Sequence, residues 1–263
     1  MKRIAAFSTF LWLLIGGAAL AGQPSVMFPG PGLGASCTQL GNDSFTKSLL
    51  HFTGSNGGTT ITDTNAGGAA QTWTANGAAV TSTTQFKFSP TSLSTGAGAG
   101  YVDTPDSANF TFGTVAAIDG WFYVSGGSGA QRNMFGQADA ASANFSVGGT
   151  ITAANTMGLV WTTTGANYSS LTGTTAITTP GWHWYAVSFT GSNVNLYIDG
   201  TREATAAFSG TIFNSANKFS IGRIGENTST PWNGFLDEWR ISVGTDRGWT
   251  GTTISVPTNP YCP

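Results

Sequence analysis

The sequence predicts an all-β protein, a sandwich or barrel of short strands, and three observations carry that reading. From Leu49 onward, short apolar runs are punctuated closely by Gly, Asn, Asp and Ser, without helical periodicity. One stretch alternates strictly: His183, Tyr185, Val187 and Phe189 against Trp182, Trp184, Ala186 and Ser188, then Val194, Leu196 and Ile198 against Asn195 and Tyr197. Beyond the apolar N-terminus, no stretch supports a helix of three turns.

The elements follow in chain order. Lys2-Arg3 forms a positive n-region, Ile4 to Leu20 is almost wholly apolar, and Ala19-Leu20-Ala21 places small residues before Gly22. These are the parts of a secretory signal peptide over residues 1–21. The competing reading is an uncleaved anchor, because the apolar stretch approaches the length of a spanning helix, roughly 17 residues. Residues 22–47 are an extended leader: Phe28-Pro29-Gly30-Pro31-Gly32-Leu33-Gly34 sustains neither a helix nor a paired strand. Residues 48–263 form the folded domain, with clear strands at Ala117–Val124, Lys218–Gly222 and Phe235–Ile241. Gly191-Ser192-Asn193 turns the long hairpin, and Asp199-Gly200 supplies the next tight turn. Cys37 and Cys262 flank the domain, and export makes them a candidate disulfide; two unpaired thiols are the alternative.

Composition narrows the function. Only 8% of the 263 residues are charged, against about 25% in ordinary soluble domains. With 40% hydrophobic residues, among them 9 Trp and 17 Phe, the chain has enough apolar area to fold. A net charge of −2 offers no basic field for phosphate backbones, which argues against nucleic-acid binding. No later segment is apolar enough to span a bilayer once the signal peptide is removed.

Several segments, in order, resemble the laminin-G-like branch of the concanavalin A-like lectin/glucanase superfamily. They are Leu49-Leu50-His51-Phe52-Thr53-Gly54 with Ile61-Thr62-Asp63, the run Gly100 to Ser107, Ile118 to Val124, Trp182 to Gly200, and Ile221-Gly222 followed by Gly234 to Ile241. The resemblance covers roughly residues 48–255 and implies a two-sheet antiparallel jelly-roll sandwich. The superfamily includes glucanases whose carboxylates alternate along one central strand. The matching strand here, Ile118 to Val124, holds Asp119 alone, and the mature chain has only Glu203, Glu226 and Glu238. A retaining glycosidase needs two carboxylates about 5–5.5 Å apart, so no catalytic residue is assigned.

The resemblance also implies one structural calcium ion, with Asp63, Asn65 and Asp237 as ligands. Against it stands a turn-capping role for Asp63 and pairing of Asp237 with Arg240 or Lys218. For sugar stacking, Trp161, Tyr168 and Trp232 lie in or beside loop-like segments, as does Trp73; Trp121, Trp182, Trp184 and Trp239 read as core. The functional expectation is a secreted, periplasmic or cell-surface module that binds a glycan or another cell-surface component without catalysis. The rivals are a structural or adhesive cell-surface or phage-associated protein without a small ligand, and a glycan hydrolase.

Overall fold

The computed structural model describes residues 39–88 and 90–263. The expected signal peptide over residues 1–21, most of the expected leader and Cys37 lie outside the described residues. The strands are β1 (Thr46–Leu50), β2 (Thr60–Ile61), β3 (Trp73–Gly77), β4 (Val80–Ser82), β5 (Ser92–Ser94), β6 (Gly100–Thr104), β7 (Val115–Val124) and β8 (Arg132–Ala138). They continue as β9 (Phe145–Ile151), β10 (Met157–Thr162), β11 (Tyr168–Thr172), β12 (Gly181–Thr190), β13 (Asn193–Ile198), β14 (Thr201–Ala207), β15 (Phe219–Ile221) and β16 (Phe235–Val243). The one regular helical turn among the described residues is a 3-10 turn at Ala108–Phe110.

Two antiparallel sheets of eight strands result. Sheet I runs β14-β13-β12-β7-β16-β5-β4, with β1 also paired to β16; sheet II runs β11-β10-β9-β8-β15-β6-β3-β2. This is the expected all-β two-sheet sandwich. The hairpin alternation holds: Tyr185, Val187 and Phe189 of β12 enter the main core with Phe122, Trp239 and Ile241, facing Phe135, Val147 and Phe219 of sheet II. Phe135 bridges the layers, 5.4 Å from the Tyr185 ring and 5.1 Å from that of Trp239. Each such side chain contributes roughly 1.5–3 kcal/mol by leaving water. Gly120 is required here, because a Cβ on it would come within 2.3 Å of the Trp239 ring. At the β13–β14 turn Asp199 (φ 47°) and Gly200 (φ 82°) are both left-handed, as a type I′ hairpin demands.

The first strand starts at Thr46, two residues inside the expected leader, and the described leader residues are tied down. Gln39 pairs in parallel with Tyr261 and accepts the Cys262 N–H at 3.0 Å, while Asp43 pairs with Arg247. First and last strands do lie side by side, since β1 pairs with β16.

Sheet I is covered on its inner face and over part of its outer face. Its outer face carries Ala117, Trp121, Trp184, Ala186 and Tyr197, and the segment after β16 crosses this face as a strap, bringing Trp249, Ile254 and Val256 onto it. One carbonyl anchors the crossing: Trp249 O accepts from Ser188 Oγ (2.6 Å), Asn195 Nδ2 (3.2 Å) and Tyr197 OH (2.9 Å). Beneath the strap, Arg240 Nε donates to Asp119 Oδ1 at 2.9 Å and Tyr261 OH to Asp119 Oδ2 at 2.7 Å. Arg240 Nη1 donates to Gly41 O at 2.9 Å. The alternative pairings of Asp237 are therefore overturned, because Arg240 is held by Asp119 and Lys218 by Asp103.

A bulge interrupts β16: the register shifts between Asp237 and Arg240, and Glu238 takes φ 49°. The extra residue lets Leu236 and Trp239 both face the core although three positions separate them. Removing one partner from the buried pair should be severe. Asp119→Ala is expected to lose about 3–5 kcal/mol in chemical denaturation, because Arg240 is left uncompensated, and Tyr261→Phe a smaller ~1–3 kcal/mol.

Candidate functional site

Three consecutive aromatic residues, Trp121-Phe122-Tyr123, run along β7, and a strand sends successive side chains to opposite faces. Phe122 enters the core, and Trp121 joins the cluster on the outer face. The two flanking strands answer in register: Trp182 of β12 and Phe235 of β16 lie directly opposite Tyr123. The three rings form a cross-strand ladder, with Tyr123 edge-on to Trp182 (centroids 5.6 Å) and to Phe235 (6.1 Å). All three are half-buried, so the strap that covers Trp184 leaves them within reach of a ligand.

Charged groups border the next row, where Trp184, Trp121 and Asp237 are in register. The Lys87 ammonium sits 3.8 Å from the Trp121 ring centroid, and Phe88 meets the same ring edge-on at 5.7 Å. Burial pulls the Lys87 pKa below its ordinary value, while Asp199 and Asp237 act in the opposite sense. Asp237 is pushed well above the usual carboxylate range by burial and by Glu238, against the N–H groups of Lys87, Phe88 and Glu238 that bond it. Asp199 accepts from Trp184 N at 2.8 Å and pairs with His183 Nδ1 at 2.7 Å. Ring faces beside the Lys87 cation and the exposed Asp199 carboxylate suit recognition of an amphipathic, hydroxylated ligand, while Asp237 is buried and serves the fold. At the far end of the same sheet, a cleft of about 510 Å³ lined by Thr190, Asn195, Arg202 and Asp246 offers no aromatic ring.

The residues expected to stack on sugar do not form a site. Trp161 lies on β10 and is buried against Phe189 (5.9 Å). Trp232 is 0% exposed and packs edge-on against Phe122 at 5.6 Å. Its backbone is pinned by bonds to Gly222 O and from Thr95 Oγ1, which draws the indole inward. Tyr168 is 48% exposed but stands on β11, in the other sheet, edge-on to Phe145. Trp73 is buried in β3 and donates to Ser48 Oγ. The presumed loop around Trp161 and Tyr168 is a β10–β11 hairpin, which fixes one ring inward and the other outward. Trp182, expected in the core, instead stands half-buried on the outer face, because β12 turns that side of its alternation away from sheet II. Tyr123 and Phe235 carried only the signal of an aromatic run too long for one face of a strand.

The calcium donors do not fit the ion. Asp63 already accepts four hydrogen bonds, from Ser48 Oγ, Leu49 N, Asn65 N and Gln71 N. Asp237 belongs to a separate network with Lys87 and Glu238. The ammonium of Lys47 bonds to Ser44 O and Gly67 O, so the turn that carries Asn65 already holds a cation. Among the described residues no three His, Cys, Asp or Glu side chains converge to hold a metal. Asp119, the acid on the central strand, has both oxygens engaged by Arg240 and Tyr261. Trp161→Ala or Trp232→Ala should each lose about 3–5 kcal/mol in urea denaturation, whereas Tyr168→Ala should stay within about 0.5 kcal/mol of the parent.

Residues 95–245 match the family model described as the concanavalin A-like lectin/glucanases superfamily. No curated protein matches the sequence. Similar solved structures include the binding domain of botulinum neurotoxin DC in complex with rat synaptotagmin II, at 13% identity and TM-score 0.57, covering 75% of this chain and 48% of that one. A botulinum neurotoxin type C structure, described by its dependence on two ganglioside molecules, aligns at 14% identity and TM-score 0.58, over 76% and 48% of the two chains. The binding domain of Paraclostridial Mosquitocidal Protein 1 aligns at 12% identity and TM-score 0.57, over 75% and 48%. The chain spans about half the length of these structures, and at such identities the likeness is one of fold.

Proposed function

The chain belongs to the concanavalin A-like lectin/glucanase superfamily, and on that premise we propose that it is an exported, non-catalytic module that recognises a glycan or another cell-surface component. The single observation behind this reading is the half-buried ladder Trp182–Tyr123–Phe235, in register on the outer face of sheet I. The carboxylates support it from the other side, because Asp119 and Glu238 are buried and hydrogen-bonded within the fold. Glu203 accepts the N–H groups of Thr174 and Thr175. Solved structures of similar fold include a toxin binding domain in complex with rat synaptotagmin II and a neurotoxin whose cell entry is described as dependent on two ganglioside molecules. No helix among the described residues is long and apolar enough to cross a membrane.

Stacking on a few rings is weak, so single-site affinity should lie in about the micromolar to millimolar range, with avidity supplied by several copies on a surface. Trp182→Ala and Tyr123→Ala are expected each to reduce binding on a glycan array at least tenfold without abolishing folding. Absence of any glycan bound by the parent protein would leave a surface protein as the partner. Release of reducing sugar from a bound glycan would make the protein an enzyme and overturn the reading. Export has its own test: peptide mapping of protein recovered outside the cytoplasm, without reductant, should begin at Gly22 and link Cys37 to Cys262. A chain retaining residues 1–21 would instead be anchored.

A further inference from the structure

Arg132 opens β8 directly opposite Ile151, a core residue of β9. It is only 6% exposed, and its guanidinium carbon stands 5.2 Å from the centroid of the Trp232 ring. Among the described residues no carboxylate pairs with it, and its Nε and Nη2 are both shut from solvent without a hydrogen-bond partner. The other buried arginines differ: Arg240 is bonded to Asp119, and Arg223 lies 3.8 Å from Asp103. Burial pushes the Arg132 pKa below its ordinary value, and no acid counters the shift. A guanidinium does not relieve such a cost by giving up its proton.

The geometry of the orphaned atoms is specific. Stacking on Trp232 serves the face of the cation but leaves its in-plane N–H groups unsatisfied. Nε–H and one Nη2–H lie side by side on one edge of the plane, the edge that takes two oxygens of a carboxylate or sulfate. The indole Nε1 of Trp232 is likewise buried without a partner, which adds a donor to the same neighbourhood. The adjoining loop is strained: Thr230, β-branched and followed by Pro231, adopts φ 49°. Asn133, the neighbour of Arg132, clamps it by N–H to Thr230 O (2.7 Å) and Nδ2 to Thr230 Oγ1 (3.0 Å). Strain held in place beside unsatisfied donors is a mark of a binding site.

We infer that Arg132, backed by Trp232, is the site of an oxyanion, a carboxylate or sulfate group held side-on by Nε and Nη2 at the rim between β8 and residues 229–233. The site is separate from the aromatic ladder: Arg132 reaches in between the sheets, whereas the ladder stands on the outer face of sheet I. A ligand that binds only the folded state raises its melting temperature. In sodium glucuronate and in sodium sulfate the protein should therefore melt higher than in sodium chloride of equal ionic strength, with a saturable dependence. Arg132→Met should lose the saturable part and keep only the general salt effect. Arg132→Lys, which retains the charge without the fork, should need at least tenfold more anion, and it decides the matter alone if Arg132→Met does not fold. Trp182→Ala should keep the full response, which distinguishes failure of this site from failure of the ladder. Response to sulfate alone assigns the site to a free anion, and a lower half-saturation with glucuronate assigns it to an acidic sugar. Equal shifts in chloride and in both oxyanions, or equal responses of the parent and Arg132→Met, would overturn the assignment.

Discussion

The buried Asp119–Arg240 pair constrains everything built on sheet I. Two charges on the outer face of a central sheet, taken out of water, lose several kcal/mol each in hydration, and their mutual attraction compensates only when the remaining lone pairs are also satisfied. Tyr261 OH supplies that last bond to Asp119, and Gly41 O receives Arg240 Nη1. Both partners come from segments outside the sheets, one from each side of the domain in sequence. The strap and the residues before β1 are therefore structural parts of the sandwich. Where the strap passes, Trp184 and Trp249 meet edge-on and the sheet face becomes a second interior. The ladder at Tyr123 stays half-open, so the course of the strap defines the surface that remains for recognition.

Much of this architecture was legible in the sequence. The alternation from Trp182 to Phe189, the turn at Asp199-Gly200 and the strands at Ile118 and Phe235 all stand as read, because strand period and turn chemistry are local properties. What alternation does not say is which face is covered and by what. Trp184 and Ala186 obey the same period as Tyr185 and Val187, yet one set faces a strap and the other a sheet. The bulge at Glu238 leaves no local mark either, and without it the faces of Asp237, Trp239 and Arg240 are misassigned.

The candidate site was less legible, for a physical reason. A stacking residue is recognised by exposure, and exposure depends on pairing between distant strands. Trp232 sits in a Pro-Trp-Asn-Gly segment that reads as a loop, but its bonds to Gly222 O and from Thr95 Oγ1 fold it into the sandwich. Tyr123, Trp182 and Phe235 are scattered over more than a hundred positions and become neighbours only through the β12–β7–β16 register. Arg132 shows nothing unusual in the sequence, since the absence of a counter-charge is a property of the fold alone.

Low charge and function are connected through the carboxylates. Only 8% of the residues are charged, yet Asp63, Asp103, Asp119, Asp237 and Glu238 are all buried and shape the interior. Asp63 collects four donors, and Glu238 joins His51 to the Tyr261 N–H. A carboxylate engaged in this way is an acceptor that organises backbone, and it has neither the free lone pair of a nucleophile nor the open position of a metal ligand. These five acids are thus withdrawn into the interior, while Asp199 stays exposed near the half-buried aromatic ladder. Such a surface is suited to holding a ligand by stacking and directed hydrogen bonds.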